Sequence, residues 1–216
     1  MRSFQSVFVI LRFETETFRI IIQKSMNTKV PVGKKIRSLR ESKQMEIEVL
    51  AERAQLSVEQ IKAIEEDGPL PGLAPLIKIA RVLGVRLGTF LDDQQSVGAV
   101  VSRAEDEHES VRFSNHASSG HENMIYHSLS DGKDNRHLEP FVIDILPNEN
   151  PKFDLSTHEG EEFIYVLEGQ VEINYGKNTY LLEKGDSIYY DSIVKHHVHG
   201  FNGQKARILA VVYTPI

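Results

Sequence analysis

A histidine and a glutamate lie four residues apart, on either side of a glycine, in the segment STHEGEEFIYVLEG from Ser156 to Gly169. In one straight strand these two residues, His158 and Glu162, would be roughly 13 Å apart, at about 3.3 Å per residue, whereas a metal ion holds its ligands at about 2 Å. The chain must therefore turn between them if they are to bind one ion. Gly160 permits such a turn because it accepts backbone angles that a side chain forbids.

A third candidate ligand follows in the segment GDSIYYDSIVKHHVHG, where His196 lies on another strand-like stretch. Strand alternation puts His196 on the opposite face from His197 and His199, so only one of these sets faces inward. Two histidines and one carboxylate are the ligand set that leaves open positions on iron(II). We therefore take His158, Glu162 and His196 as candidate ligands of one divalent metal ion, Fe, Mn, Zn or Ni.

The two segments resemble the paired motifs of the cupin superfamily, whose members are small antiparallel β-barrels. The residues that carry the resemblance are Gly160, Gly169, Gly185 and Asp186. Three positions depart from the family pattern: Ser156 replaces the first histidine of the usual His-x-His pair, Lys195 replaces a proline, and Gly200 replaces an asparagine. The resemblance implies a jelly-roll-like barrel over residues 111–216 that serves as a sensor domain, and its alignment favours His196 as the inward histidine.

Short strand-like segments, separated by Gly, Asn and Asp turn signals, fill the same stretch, as is typical of an all-β barrel. The predicted strands are Val111–Ser114, Met124–Leu129, Glu139–Leu146, Glu161–Glu168, Gln170–Tyr175, Thr179–Leu182, Ser187–Tyr190, His196–His199 and Arg207–Tyr213. Tyr126, Arg136 and Tyr190 are candidates for an effector pocket at the barrel mouth, where the arginine fork would bind an anionic small molecule. The alternative is that each is an ordinary edge residue.

A different pattern, short helices with tight joints, runs from Val32 to Leu91. Ser57 is a good N-cap for a helix that begins at Val58, and Gln60 three residues on completes a capping box. Gly84 closes the fourth helix, and a short fifth follows. Five helices, two of them joined by a three-residue turn, predict a helix-turn-helix domain.

This stretch resembles the lambda-repressor-like, or Xre-type, DNA-binding domain. The residues that carry the resemblance are Ile36, Arg37, Leu39, Arg40, Leu50, Ala51, Ala54, Leu56, Ser57, Ile61, Ile64, Glu65, Gly68, Leu76, Ile79, Ala80, Leu83, Gly84 and Val85. In that family the helix after the turn enters the major groove. The implied DNA-binding residues are Ser57, Val58, Glu59, Gln60 and Lys62. Gln60 would read adenine through its amide, and Lys62 would hold a phosphate or a guanine.

The charge of this domain lowers the affinity that we expect for double-stranded DNA. Glu46 and Ile47 stand where such domains usually carry a Ser or Thr cap and a backbone-contacting Gln, and Glu59 points a negative charge at the groove. Between residues 30 and 94 ten Lys or Arg balance ten Asp or Glu. Since phosphate neutralisation supplies much of the affinity, we expect weak, salt-sensitive binding by one domain and a homodimer that binds two half-sites. The alternative is a helical bundle that has lost DNA binding and serves as a dimerisation or docking module.

We expect four segments: an N-terminal extension at 1–29, a helix-turn-helix domain at 30–93, a linker at 94–110 and the cupin domain at 111–216. The extension is either an upstream stretch with Met26 as the true start or an added strand at a sheet edge. Its longest apolar run, Val7–Leu11, is far shorter than the ~20 residues of a membrane span. The absence of cysteine suits a reducing cytoplasm, and the net charge of −6 argues against a protein that coats nucleic acid.

Two functions from different classes follow from these resemblances. A repressor-like domain followed by a cupin implies a DNA-binding transcriptional regulator, in which the barrel senses a small-molecule effector and the helical domain binds operator DNA. The same domain order also resembles the hydroxypropylphosphonic acid epoxidases, which are mononuclear non-haem iron enzymes with the same His-x-x-x-Glu spacing. We favour the regulator over the enzyme, because the sequence shows no substrate-clamping set of residues.

Overall fold

The computed structural model describes residues 30–66, 68, 70, 72–92, 97–104, 111–113, 124–147 and 155–215. The predicted N-terminal extension, most of the predicted linker and Ser114 lie outside these residues. Over the described residues, the helices are all too short or too polar to cross a membrane.

The first part of the described chain consists of five helices, as the sequence predicts. Their bounds are α1 Val32–Ser42, α2 Ile47–Ala54, α3 Val58–Glu65, α4 Leu73–Leu83 and α5 Gly88–Leu91. Apolar residues recur at three- and four-residue spacing along the longer helices, so each helix presents one apolar stripe to a common core. The buried residues of that core include Ile36, Leu50, Ile61, Ile64, Leu76, Ile79 and Leu83. Gly84 ends α4 in the left-handed conformation, at φ +63°, as predicted.

The turn between α2 and α3 sets the position of the second helix of the motif. Gln55 ends α2 with a left-handed backbone at φ +55°. The capping box is present: the Ser57 hydroxyl accepts from the Gln60 amide at 3.1 Å, and the Gln60 side-chain oxygen accepts from the Ser57 amide at 2.8 Å. At the other end of α3, Arg40 donates to both oxygens of buried Glu65, at 2.6 and 2.8 Å. Both ends of α3 are therefore fixed.

Nine antiparallel strands follow within the described residues, and each end lies within one residue of its prediction. They are β1 Val111–Phe113, β2 Met124–Ser128, β3 Leu138–Ile145, β4 Glu161–Glu168, β5 Gln170–Tyr175, β6 Asn178–Glu183, β7 Ser187–Asp191, β8 His196–Gly200 and β9 Ala206–Tyr213. One sheet has the order β1-β2-β3-β9-β4-β7 and the other β6-β5-β8. Every second residue of β3 and β9 is buried, because alternate side chains face the space between the sheets. The described strands thus form a jelly-roll-like pair of sheets rather than one closed barrel.

A buried ionic cluster joins the helices to the strands. Arg136, just before β3, donates to Glu139 at 2.7 Å and, through both terminal nitrogens, to Asp92 after α5. All three side chains are at most 7% exposed. A Cβ added to Gly88 would lie 2.8 Å from an Arg136 nitrogen, so the guanidinium packs directly on the α5 backbone. We call Asp92, Arg136 and Glu139 the interdomain cluster.

One guanidinium thus serves two carboxylates in this cluster. Burial raises the pKa of Glu139 to about 7, with the charge of Arg136 opposing the rise and that of Asp92 adding to it. Burial also raises the pKa of Asp92. Because burying a charge is costly unless it is paired, the two acids depend on Arg136 to remain ionised in this position.

Arg136→Ala should destabilise the protein strongly, because it leaves two buried carboxylates without their cation. We expect the free energy of unfolding at pH 8, from urea denaturation, to fall by about 3 kcal/mol or more. The matched control is Arg207→Ala, which breaks a half-exposed pair with Asp144 at 3.6 Å and should cost less than about 1 kcal/mol. Equal losses in the two variants would contradict this role for the cluster.

Candidate metal centre and candidate DNA-facing helix

The structure brings the three predicted metal ligands together between the two sheets. His158 lies in the loop before β4, Glu162 is the second residue of β4, and His196 is the first residue of β8. The Nε2 atoms of His158 and His196 lie 2.9 and 3.2 Å from Oε1 of Glu162. The three ligand atoms are within 4.8 Å of one another, and all three residues are buried.

The predicted turn at Gly160 makes this convergence possible. Gly160 has a φ of +105°, and an added Cβ would lie 1.9 Å from the carbonyl oxygen of Tyr213. Two backbone bonds hold the loop: the Ser192 amide donates to the Gly160 carbonyl at 2.9 Å, and the His158 amide donates to the Ser192 carbonyl at 3.1 Å. A side chain at position 160 would therefore displace β9 from the loop that carries the first ligand.

Ser156, which replaces a family histidine, pairs with the backbone of the third ligand instead. The Ser156 amide donates to the carbonyl of His196 at 2.8 Å, and the Ser156 carbonyl accepts from the His196 amide at 3.0 Å. Its hydroxyl donates to the same carbonyl at 3.2 Å. The serine thus fixes the backbone of His196, and its hydroxyl is directed to a carbonyl rather than toward the ligand atoms.

The hydrogen bonds of the two rings test whether the set fits a cation. Nδ1 of His158 lies 3.0 Å from the Glu159 carbonyl, and Nδ1 of His196 lies 2.8 Å from the Val194 carbonyl. Carbonyls only accept, so each Nδ1 carries a proton, and in a neutral ring Nε2 then presents a lone pair to the carboxylate. Two acceptors at such a distance need a positive charge between them, from a ring proton or from a cation. The donor set therefore fits a divalent metal held by two imidazoles and one carboxylate.

The carboxylate of Glu162 is held ionised by its neighbours. Tyr190 donates to its Oε2 at 2.9 Å, and Ser192 donates to its Oε1 at 3.1 Å. Burial alone would raise the pKa of Glu162, but the hydrogen bonds and charges of His158 and His196 hold it well below its usual value. Burial keeps the pKa of Tyr190 well above its usual value, so this phenol stays a donor. The contact of Ser192 with Glu162 was not predicted from the sequence, because Ser192 belongs to no recognised motif and is marked only by its position two residues after Tyr190.

The predicted effector residues separate into two places. Tyr190 lies at the metal centre, with its ring centroid 5.1 Å from that of His196. Tyr126 is partly buried and packs edge-on against Phe141, and its removal from water, together with the charge of Glu162, raises the pKa of its phenol. Arg136 has a different environment, the interdomain cluster. Tertiary packing pairs this guanidinium with Asp92 and Glu139, and the arginine clamp at the barrel mouth stays a prediction.

The helix predicted to face DNA, α3, exposes three of the five predicted contact residues along its length. Glu59, Gln60 and Lys62 are exposed, as is the capping Ser57, while Val58 is half-buried. The side-chain oxygen of Gln60 is already bonded in the capping box. An amide reads adenine through both its oxygen and its nitrogen, so Gln60 offers only its nitrogen while the cap is closed.

Both parts of the chain are similar to known protein domains. The family model of the helix-turn-helix domain matches residues 36–90, and that of the cupin domain matches residues 141–212. The chain is 30% identical over 193 residues to (S)-2-hydroxypropylphosphonic acid epoxidase of Streptomyces wedmorensis, a match that covers 82% of this chain and 92% of that protein. The chain belongs to the helix-turn-helix and cupin family.

Proteins similar to this chain carry names from two functional classes. The HTH-type transcriptional regulator PuuR of Escherichia coli (strain K12) is 22% identical over 183 residues, which cover 85% of this chain and 94% of that protein. Among solved structures, an HTH_3 family transcriptional regulator from Vibrio cholerae matches with a TM-score of 0.60 at 21% identity, over 86% of this chain and 96% of the other. That likeness shows a shared fold.

Tyr190→Phe should weaken metal binding while leaving the ligand set complete, because it removes only the hydroxyl that donates to Glu162. We expect the affinity for Ni²⁺, measured by competition with a chromogenic chelator, to fall about tenfold or more. Tyr175→Phe is the matched control: its ring lies 5.2 Å from that of Tyr190, but its hydroxyl donates to the carbonyl of Asp191. Unchanged affinity in Tyr190→Phe would contradict a metal role for Glu162.

Proposed function

We propose that the protein is a DNA-binding transcriptional regulator, in which the helix-turn-helix domain binds operator DNA as a homodimer and the cupin domain senses a small molecule. The observation that carries the proposal is α3, a helix fixed at both ends whose polar residues are exposed. Similarity to a named HTH-type regulator over most of both chains supports the same reading.

The contacts of α3 explain how it would act on DNA. The closed capping box already uses the amides of Ser57 and Gln60 at the start of α3, so a phosphate at this helix N-terminus would bind through the amides that remain. Lys62 is exposed on the same helix, whereas Glu59 on α3 and Glu66 directly after it are two exposed carboxylates. The exposed charges of α3 and its C-cap are therefore more negative than positive, so we expect a single domain to bind weakly. Two half-sites bound by a dimer would supply the missing affinity.

The sensing part of the proposal rests on the metal centre. His158, Glu162 and His196 would hold a divalent ion, and such an ion with three protein ligands supplies open positions for an exogenous oxygen or nitrogen ligand. Tyr190 and Ser192 would keep the carboxylate ionised and oriented. The interdomain cluster would transmit a change in the barrel to the helices, because Arg136 contacts both.

A second candidate function is a mononuclear non-haem iron oxygenase or epoxidase. The observation that favours it is the two-histidine, one-glutamate set itself, together with 30% identity to an epoxidase over most of both chains. In this second candidate function the same three residues would hold iron(II), and Tyr190 would hold the Glu162 carboxylate through its hydroxyl.

Lys62→Glu should weaken selective DNA binding, because Lys62 is the one positively charged residue of α3 and its side chain is exposed. We expect a loss of about tenfold or more in affinity for a duplex selected with the wild-type protein, and a shallower dependence on salt, both by fluorescence anisotropy. Lys205→Glu makes the same charge change on the exposed surface of the strand domain and should leave affinity nearly unchanged. Full selective binding by Lys62→Glu would overturn the placement of α3 in the groove.

His196→Ala distinguishes the two candidate functions. Removing one of three ligands should lower metal content sharply in elemental analysis, since little redundancy remains. A regulator variant should still bind the selected duplex with wild-type affinity, because α3 and its caps are untouched. The enzyme would instead be supported if the wild-type protein selects no duplex and catalyses a metal-dependent oxidation that His196→Ala abolishes.

A further inference from the structure

A crevice lies between the helices and the strands, on the outer side of the first metal ligand. Its volume is about 400 Å³, within the range of small-molecule sites. The helical side is formed by the end of α2 and by α4 with the residues after it, and the strand side by Thr157, His158, Glu159 and Ile193. Among the residues that line it, only His158 belongs to the metal centre, so the two sites adjoin at this residue and otherwise use different side chains.

The charge of the crevice is strongly positive. Four cations line it, Arg53, Lys78, Arg81 and Arg86, against the one carboxylate of Glu159. Arg81 pairs with that carboxylate across the crevice. The other three cations therefore form an excess of positive charge in one concave site.

Two of these cations have no acceptor in the part of the chain that the structure describes. Lys78 is half-buried and Arg53 is exposed, and neither makes a hydrogen bond or an ion pair with a described residue. Arg86 binds the Arg136 carbonyl at 3.2 Å and Nδ1 of His137 at 3.0 Å, both neutral acceptors. An anion bound here would accept charge-assisted hydrogen bonds from Arg53 and Lys78, whose donors no described residue uses.

The remaining lining is apolar, which indicates an organic anion rather than an inorganic one. Aliphatic side chains from both domains line the crevice, namely Ile77, Val82, Val85, Leu87, Ile193 and Pro215. We infer that this crevice binds a small organic anion, with a phosphate, phosphonate or carboxylate head on Arg53, Lys78 and Arg86 and an apolar body against the aliphatic residues. The inference goes beyond the proposed function, because it needs neither the metal nor DNA.

The position of the crevice gives such a ligand a structural effect. It would contact α2, which precedes the DNA-facing helix, and the loop that carries His158. A ligand that binds both domains stabilises the arrangement in which both contact it, and so raises the unfolding temperature by mass action.

The test uses the full chain and phenylphosphonate as the probe, with benzyl alcohol as a neutral probe of similar size. Isothermal titration should show saturable binding of phenylphosphonate and none of benzyl alcohol. The double variant Arg53→Gln with Lys78→Gln should bind phenylphosphonate about tenfold more weakly or worse, at an unchanged unfolding temperature without ligand. Lys205→Gln, an exposed charge loss on the strand domain, should bind normally.

A second arm separates the crevice from the metal centre. His196→Ala in chelator-treated protein should retain phenylphosphonate binding, whether or not the protein selects a duplex. Binding that disappears in His196→Ala and survives in the Arg53 and Lys78 double variant would place the anion on the metal and overturn the inference. Absence of saturable phenylphosphonate binding by the wild type, at up to about 10 mM, would also overturn it.

Discussion

The guanidinium of Arg136 is the contact on which the arrangement of the two domains depends. It is buried between Asp92, which directly follows α5, and Glu139, the second residue of the central strand β3. Each acid alone would be an uncompensated buried charge, and burial already raises the pKa of both. Because the guanidinium also packs on the backbone of Gly88, the helices cannot move away from the strands without exposing or unpairing this cluster.

The metal centre follows the same physical rule on a smaller scale. The Glu162 carboxylate is buried, yet two imidazoles, a phenol and a serine hydroxyl compensate it. Backbone carbonyls fix the proton on the far nitrogen of each ring, so the near nitrogens are directed at the carboxylate. These hydrogen bonds between protein groups orient the two imidazoles and the carboxylate so that they can hold a positive charge between them.

Sequence reasoning predicted what is local and periodic. The five helices, the capping box at Ser57 and the strand bounds follow from spacing and turn residues, and so does the turn at Gly160 that brings His158 to Glu162. Contacts between residues that are distant in the sequence could not be predicted from spacing or turn residues. Arg136 lies beside a strand start and was predicted in an effector pocket, whereas its partner Asp92 is 44 residues away. Ser192 likewise reaches Glu162 only because β4 and β7 pair.

The distribution of charge bears on which candidate function suits the chain. The described side chains that contact the Glu162 carboxylate are histidine, tyrosine and serine, so apart from the imidazoles no cation lies against it. An anion that reached an ion there would be held by the ion and neutral donors. Three cations without a described anionic partner, Arg53, Lys78 and Arg86, lie instead in the crevice between the helices and the strands. A weakly held ligand exchanges readily, which a sensor requires, whereas an enzyme benefits from fixed groups that orient its substrate for reaction. The positions of these charges therefore favour the regulator.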